Sequence, residues 1–363
     1  MVLFLLTFFL IYGGLHLYIY LRALDVVRLP AWGAVLVALF FVAMIVSPIA
    51  VRFLERNGHD SAARLTACTG YSWLGFVFFF FCILLCFDIA RLVTYAAGVI
   101  SKSDVSWFMS LYRPFFYVGL IASVLLCLYG YREAIQIRPH VLRIETEKLP
   151  KGTDKFTITQ ISDVHLGLIV REEKIKKIVE IIKSVDPHIL VSTGDLVDSD
   201  IDDLERIAYL FKSVNPPYGK YAITGNHEFY AGIKSAIRLH KQAGFQMLRN
   251  ESISASPINI AGVDDPAGGP ATVSEKALLS SAADGLFTIL LKHRPVLDKE
   301  AAGMFDLQLS GHTHKGQIYP FRYLTRLAFP LYTGYYRLSQ KKPFVCKQGN
   351  WDVGTSDPFS CST

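Results

Sequence analysis

Five short segments in the second half of the chain gather carboxylates, imidazoles and one carboxamide. They are Asp163-Val164-His165, Gly194-Asp195-Leu196-Val197-Asp198, Gly225-Asn226-His227-Glu228, a single His293, and Gly311-His312-Thr313-His314. Each follows a short apolar run that reads as a β-strand. Oxygen and imidazole ligands in this proportion suit two adjacent divalent cations, and a two-metal site can hydrolyse phosphate esters. A lone Asp-x-His is common by chance; five such segments in succession, each after a strand, are not. Gly194, Gly225 and Gly311 are expected to let the backbone turn sharply beside the crowded site.

These segments need a scaffold that aims strand ends at one point. Strands are predicted at Phe156–Ile161, His188–Ser192, Tyr218–Thr224, Ile258–Val263, Phe287–Leu291 and Leu307–Leu309. Between the early strands lie helical patterns at Glu172–Lys183, with Ile175, Ile178, Val179 and Ile182 on one face, at Asp202–Val214 with Asp202 as N-cap, and at Ile233–Ala243 closed by Gly244. Strands alternating with helices imply a layered α/β fold, in which ligands bind at the carboxyl ends of the strands.

With these motifs in place, the chain resembles the calcineurin-like metallophosphoesterase superfamily, and within it the bacterial membrane-anchored branch. The resemblance covers about residues 155–340 and implies a four-layer α/β/β/α sandwich. It further implies that Asp163, His165 and His314 hold one metal, that Asn226, His293 and His312 hold a second, and that Asp195 bridges both. His227 becomes the general acid that protonates the leaving oxygen, with Asp198 orienting its imidazole. Physical chemistry agrees with these roles. Two cations about 3.5–4 Å apart need a shared anion between them, and a bridging water loses a proton easily beside two charges. The expected reaction is attack of a metal-bridging hydroxide on a phosphate ester or pyrophosphate. The ligand set accommodates Mn, Fe, Zn or Co.

Other residues are less distinctive. Glu228 carries no assigned role. Arg294 has the geometry to meet a phosphate but reads more simply as structural. Asp264-Asp265 and Gly268-Gly269 mark a tight loop near the rim, and Lys315 stands where relatives often carry Gly. An aromatic stretch of Phe321, Tyr323, Phe329, Tyr332, Tyr335 and Tyr336 suits either an apolar rim or interior packing.

The first half of the chain has a different composition. Of 363 residues, 52% are hydrophobic, and the mean hydropathy of +0.33 exceeds that of an ordinary soluble protein. The excess lies in four stretches, Val2–Leu21, Ala31–Val51, Tyr71–Ile89 and Phe115–Tyr131, each about long enough for the ~20 residues that cross a bilayer. The first lacks the basic start of a cleaved signal and is followed by three more spans. Four spans return the chain to the side it started from. Arg52, Arg56, Arg64, Arg132, Arg138 and Arg143 fall on one side, and Arg22, Arg28, Arg91, Lys102 and Arg113 on the other, which favours a cytoplasmic soluble domain at an inner or plasma membrane. The expected division is a membrane region at 1–134, a linker at 135–155 and the catalytic domain at 156–344.

A net charge of +6 is too modest for a nucleic-acid binder. The expected partners are the lipid bilayer and a phosphorylated substrate, for which a lipid-linked phosphate is one candidate. Cys68, Cys82, Cys86 and Cys127 read as small buried hydrophobes. The tail at 345–363 lacks strand alternation. Read one nucleotide later, it permits a glycine-rich ending like that of the family, so a frameshift is expected there. Two other functions remain open: a catalytically inactive sensory or binding protein, and a transporter with an accessory domain. Complete ligand motifs argue against the first. The spans hold few ionisable groups, with Asp88 at a span end and His16 the main polar exception inside one, which argues against the second.

Overall fold

The four long helices of the first half expose many large apolar side chains. Helix α1 spans Val2–Val27, α2 Ala31–Arg56, α3 Asp60–Ser101 and α5 Tyr112–Ile135, with a single turn, α4, at Ser106–Met109. The four long helices have the length and apolarity to cross a membrane. They run beyond the stretches expected from hydropathy alone. At 42 residues, α3 is about 63 Å long, twice a hydrocarbon core of ~30 Å. The structure is a computed structural model describing residues 2–198, 204–282, 284–316, 322–332, 334–339 and 342–347. It divides into two compact units, residues 1–135 and 136–363.

Within the helical unit, Tyr12, Ile19, Phe41, Val77, Phe80 and Phe116 form the centre. Large apolar side chains such as Leu10, Leu39, Leu92 and Ile121 point outward. That inversion of the usual pattern suits hydrocarbon as the surrounding solvent. The cysteines depart from expectation. Cys68 and Cys86 are exposed and Cys82 and Cys127 half-buried, so they lie on the outward apolar faces rather than in the core. His16 is buried and fully satisfied: Trp73 Nε1 donates to its Nε2 at 2.8 Å, and its Nδ1 lies 2.8 Å from the Tyr12 carbonyl. Indole nitrogen can only donate, which makes His16 a neutral imidazole with its proton on Nδ1. Asp88, within α3, pairs with Arg22 and accepts from the Tyr18 hydroxyl.

In the second unit, β1 (Ile158–Ile161), α6 (Glu172–Val185), β2 (Ile189–Ser192), α7 (Leu204–Lys212), β3 (Lys220–Ala222), α8 (Asn226–Ala231), α9 (Ile233–Gln242) and β4 (Gln246–Met247) come first. Then follow β5 (Glu251–Ala255), β6 (Ile258–Gly262), α10 (Glu275–Ser280), β7 (Phe287–Leu291), β8 (Leu307–Ser310), α11 (Arg322–Ala328), β9 (Gly334–Ser339) and β10 (Lys342–Lys347). One sheet is parallel, in the order β1-β2-β3-β4; the other is mixed, in the order β5-β6-β7-β8-β10-β9.

Alternation along the strands assembles the layers. Ile189 and Val191 of β2 face Ile258, Ile260, Ile289 and Leu291 of the other sheet. Leu190, between them, joins Ile175, Ile178, Val179 and Ile182 of α6 and Leu239 of α9. Leu290 of β7 turns the other way, onto Leu278 and Leu279 of α10. Two sheets with helices outside them make the four-layer α/β/β/α sandwich. Each buried Ile or Leu contributes roughly 1.5–3 kcal/mol, and a single charge at Ile182, which is fully buried, would part α6 from the sheet.

Several sequence expectations fall outside the described residues: Asp202 as N-cap, Phe321 in the aromatic stretch, the Lys315 side chain, and the tail from 348 onward. One expectation is corrected. Val345–Lys347, read as the start of an atypical tail without strand alternation, belong to β10, which pairs in parallel with β8 and antiparallel with β9.

Candidate metal centre

The carboxyl ends of β1, β2, β7 and β8, and the loop after β3, converge on one point. Asp163 and His165 follow β1, Asp195 and Asp198 follow β2, Asn226 and His227 open α8, His293 follows β7, and His312 and His314 follow β8. Backbone pairing continues past the strand ends and fixes the loops to one another. The amides of Asp163, His165 and Leu166 donate to the carbonyls of Gly194, Asp195 and Leu196 at 3.1, 3.0 and 2.8 Å, and Gly311 donates to the His293 carbonyl at 2.9 Å.

Among the described residues three groups could hold a metal ion: one is His165, Asp198 and His227, and the other two share one carboxylate. Asp163, His165, Asp195 and His314 form the first of these two; Asp195, His293 and His312 form the second. Asn226 joins the second, with its Oδ1 3.3 Å from His293 Nε2. All seven expected ligands are therefore brought together. Their spacing fits coordination. His165 Nε2 lies 3.2 Å from His314 Nε2, His312 Nδ1 lies 3.2 Å from His293 Nε2, and His293 Nε2 lies 3.2 Å from Asp195 Oδ2. Bonds of about 2.0–2.1 Å to a common cation place ligand atoms roughly 3.0–3.4 Å apart. His293 also directs its other nitrogen, Nδ1, at the Thr193 carbonyl at 2.8 Å. That bond leaves Nε2 as the ligand atom and fixes the ring, as metal-binding histidines require.

Electrostatics explain why cations belong here. Burial alone would raise the Asp195 pKa, but the bond and charge of His293 and the His227 amide hold it well below the usual carboxylate range. Burial would lower His293, yet Asp195 and Asp163 raise it to about 9. Burial and the neighbouring His293 push His312 down to about 4. The buried carboxylates thus draw positive charge into the cluster.

The backbone here is unusual. Asp163, His165, Asp195, His312 and His314 all adopt left-handed φ, between 48° and 72°. Such non-glycine conformations cost on the order of 1–3 kcal/mol each and gather at functional sites. Only one of the three glycines serves the turn expected of it, Gly194 at φ 93°. Gly225 and Gly311 have no left-handed φ and are needed for space. A Cβ on Gly225 would stand 2.2 Å from Asp195 Oδ1, and one on Gly311 2.0 Å from Ser162 Oγ and 2.3 Å from Asp163 Oδ2.

Beside the two groups, His227 Nδ1 lies 2.5 Å from Asp198 Oδ1. Burial would lower the His227 pKa, but Asp198 above all, with Asp195, raises it. Glu228 was the underrated residue. Its fully buried carboxylate accepts the amides of Asp195 at 2.9 Å, Leu196 at 2.7 Å and Gly225 at 2.7 Å. The local signal was its place three residues after Gly225, where a glutamate caps its own helix start. Its reach to a loop some thirty residues earlier left no mark on local pattern. Arg294 makes a two-pronged pair with buried Asp265 at 2.8 and 2.9 Å. Asp264 accepts from Thr224 and Arg249, so this loop is tied to protein groups. Among the aromatics, Tyr332 is buried, Phe329 and Tyr336 are half-buried, and Tyr323 and Tyr335 are exposed; neither a uniform rim nor uniform interior packing describes them.

The calcineurin-like phosphoesterase profile matches residues 156–316, a range containing every expected ligand. A metallophosphoesterase of Aquifex aeolicus is 37% identical over 245 residues, which cover 66% of this chain and 92% of that protein. The chain belongs to the calcineurin-like metallophosphoesterase family. The family generally uses a dinuclear metal centre, and the two groups sharing Asp195 provide candidate ligands for one. A metallophosphoesterase of Campylobacter jejuni is 27% identical and aligns with 94% of this chain and 90% of its own length, including the helical unit. A transmembrane protein with metallophosphoesterase domain from Danio rerio is 33% identical over 61% of this chain and 55% of its own length.

Proposed function

We propose that this chain is a membrane-anchored phosphoesterase that uses two divalent cations to hydrolyse a phosphate ester or pyrophosphate. The observation that carries the reading is the membership of Asp195 in both ligand groups. When bound, two cations would supply an activated water and electrostatic stabilisation of the phosphoryl group. Asp163, His165 and His314 would hold one of them and Asn226, His293 and His312 the other, with Asp195 available to both.

The protein's own acid–base work falls to His227. Asp198 holds Nδ1, which presents Nε2 to the substrate side, and the same carboxylate keeps the ring protonated to higher pH. Nε2 then gives its proton to the departing oxygen. Arg294 is held by Asp265 beside His293 and contributes positive potential next to the site. Arginine distribution along the helices supports a cytoplasmic face for the domain. Tethering to a bilayer supports a lipid-linked phosphate over a nucleic acid as substrate.

The test is full-length protein in detergent, stripped and reloaded with Mn²⁺, Fe²⁺ or Zn²⁺. Hydrolysis of bis-p-nitrophenyl phosphate and p-nitrophenyl phosphate would be followed beside Asp195→Asn. Metal-dependent turnover lost in the variant is expected. Folded, metal-loaded protein that turns over neither these esters nor a lipid-linked phosphate would favour the inactive binding protein instead.

A further inference from the structure

Helix α11 has no buried residue. Leu327 is 79% exposed, Leu324 61% and Tyr323 54%. At 100° per residue these three share one stripe. Thr325, the half-buried position, turns the opposite way; Arg326 borders the stripe on one side, and Arg322 lies beyond it on that side, where it donates to the Tyr332 hydroxyl at 3.5 Å. The pattern is that of a helix lying in a membrane interface, with apolar residues inward and cationic side chains at the headgroups.

Both ends of this helix abut the candidate metal centre. At its start, a Cβ on Gly316 would come within 2.5 Å of Arg322 Cα, so the turn after His314 packs directly on the helix backbone. Just beyond its end, Phe329 packs edge-on against His312 with ring centroids 5.3 Å apart. The Thr313 hydroxyl donates to the Tyr332 carbonyl. Whatever α11 rests on therefore lies beside the ligands His312 and His314.

We propose that α11 is an interfacial helix that docks the metal-site face of the domain onto an anionic bilayer. Two observations choose a bilayer over other occupants. Arg322 and Arg326 complement anionic headgroups, and the same chain carries four helices fit to span a membrane. The chain between α5 and β1, residues 136–157, reaches at most about 75 Å when extended, which keeps a bilayer within range of the domain. This inference does not rest on catalysis, although a docked site would receive phosphates presented at a lipid surface.

The experiment is amide hydrogen exchange of the full chain in nanodiscs of phosphatidylcholine alone or with 30% phosphatidylglycerol. Amides of residues 322–328 are expected to exchange at least five-fold more slowly in the anionic discs. Arg322→Glu/Arg326→Glu and Leu324→Ser/Leu327→Ser should each erase that difference, with β7 amides still protected as a check on folding. Raising the salt to 0.5 M should weaken the effect. Equal exchange in both discs overturns the proposal. Protection that depends on protein concentration rather than lipid charge also overturns it, by indicating a second copy of the chain. Because turnover is not read, an inactive enzyme would leave the result interpretable.

Discussion

The Glu228 carboxylate accepts the backbone amide of Asp195 at 2.9 Å, across a separation of 33 residues. It binds the Gly225 amide with the same oxygen, at 2.7 Å. One buried side chain thus fixes the loop carrying the shared ligand Asp195 against the loop carrying Asn226. A carboxylate is well matched to this task, because every partner is a donor. Glu228→Gln replaces an acceptor with an NH₂ that faces N–H groups, leaving donors buried without partners at about 1–3 kcal/mol each. Metal affinity should fall about 10–100-fold, as measured by competition with a chelator. Unchanged affinity would mean that these loops are held by other contacts.

His227→Ala should distinguish an acid from a ligand. Loss of a general acid typically costs about 10²–10⁴ in rate. The cost should be large for an alkyl phosphate ester and small for a p-nitrophenyl ester, whose leaving group needs no proton. Metal content should stay at the wild-type level. An equal loss for both esters, accompanied by loss of metal, would make His227 a ligand instead.

Asp198→Asn should move the pH profile. Asp198 raises the His227 pKa, so removing its charge lowers that pKa and deprotonates the acid at lower pH. The alkaline limb of kcat for the alkyl ester should shift downward, with the acidic limb little changed. An alkaline limb that stays in place would separate Asp198 from the proton-donating step.

Gly225→Ala places a methyl group in the Asp195 carboxylate, whereas Gly130 in α5 has nothing within 4 Å of a built Cβ. Gly225→Ala should lower metal affinity at least tenfold, while Gly130→Ala should leave it unchanged. Similar behaviour of the two variants would show that Gly225 is not held for space.

These outcomes bear on what could be read in advance. The ligands were legible because each motif follows a strand and strand ends share a destination. The layers were legible because Ile175, Ile178, Val179 and Ile182 recur at helical spacing and the strands are continuously apolar. What stayed hidden depends on distance along the chain. Glu228 acts on amides of residues 195 and 196, and Gly225 and Gly311 make room for carboxylates on other loops. Hydropathy located four spans but not their lengths, because the polar ends of α3 continue the helix beyond the apolar stretch. The cysteines were misplaced because apolar residues in such helices face outward as readily as inward.

His16 marks how far the helical unit matters to the chemistry. Its two ring nitrogens are taken by Trp73 and Tyr12, which suits a structural role. His16→Leu would orphan the Trp73 donor, a loss of about 1–2 kcal/mol within a membrane. The unit's thermal stability in detergent should fall, and hydrolysis of a soluble ester should stay within about twofold. A collapse of hydrolysis in folded protein would give the helices a part in catalysis.

The central claim is a pair of cations joined by Asp195. The most direct measurement is metal stoichiometry by mass spectrometry, on full-length protein stripped, re-equilibrated with Mn²⁺ and freed of excess ion. Two ions per chain are expected in the wild type and no more than one in Asp195→Asn. A wild-type value of one or less, or two ions retained in Asp195→Asn, would contradict the account.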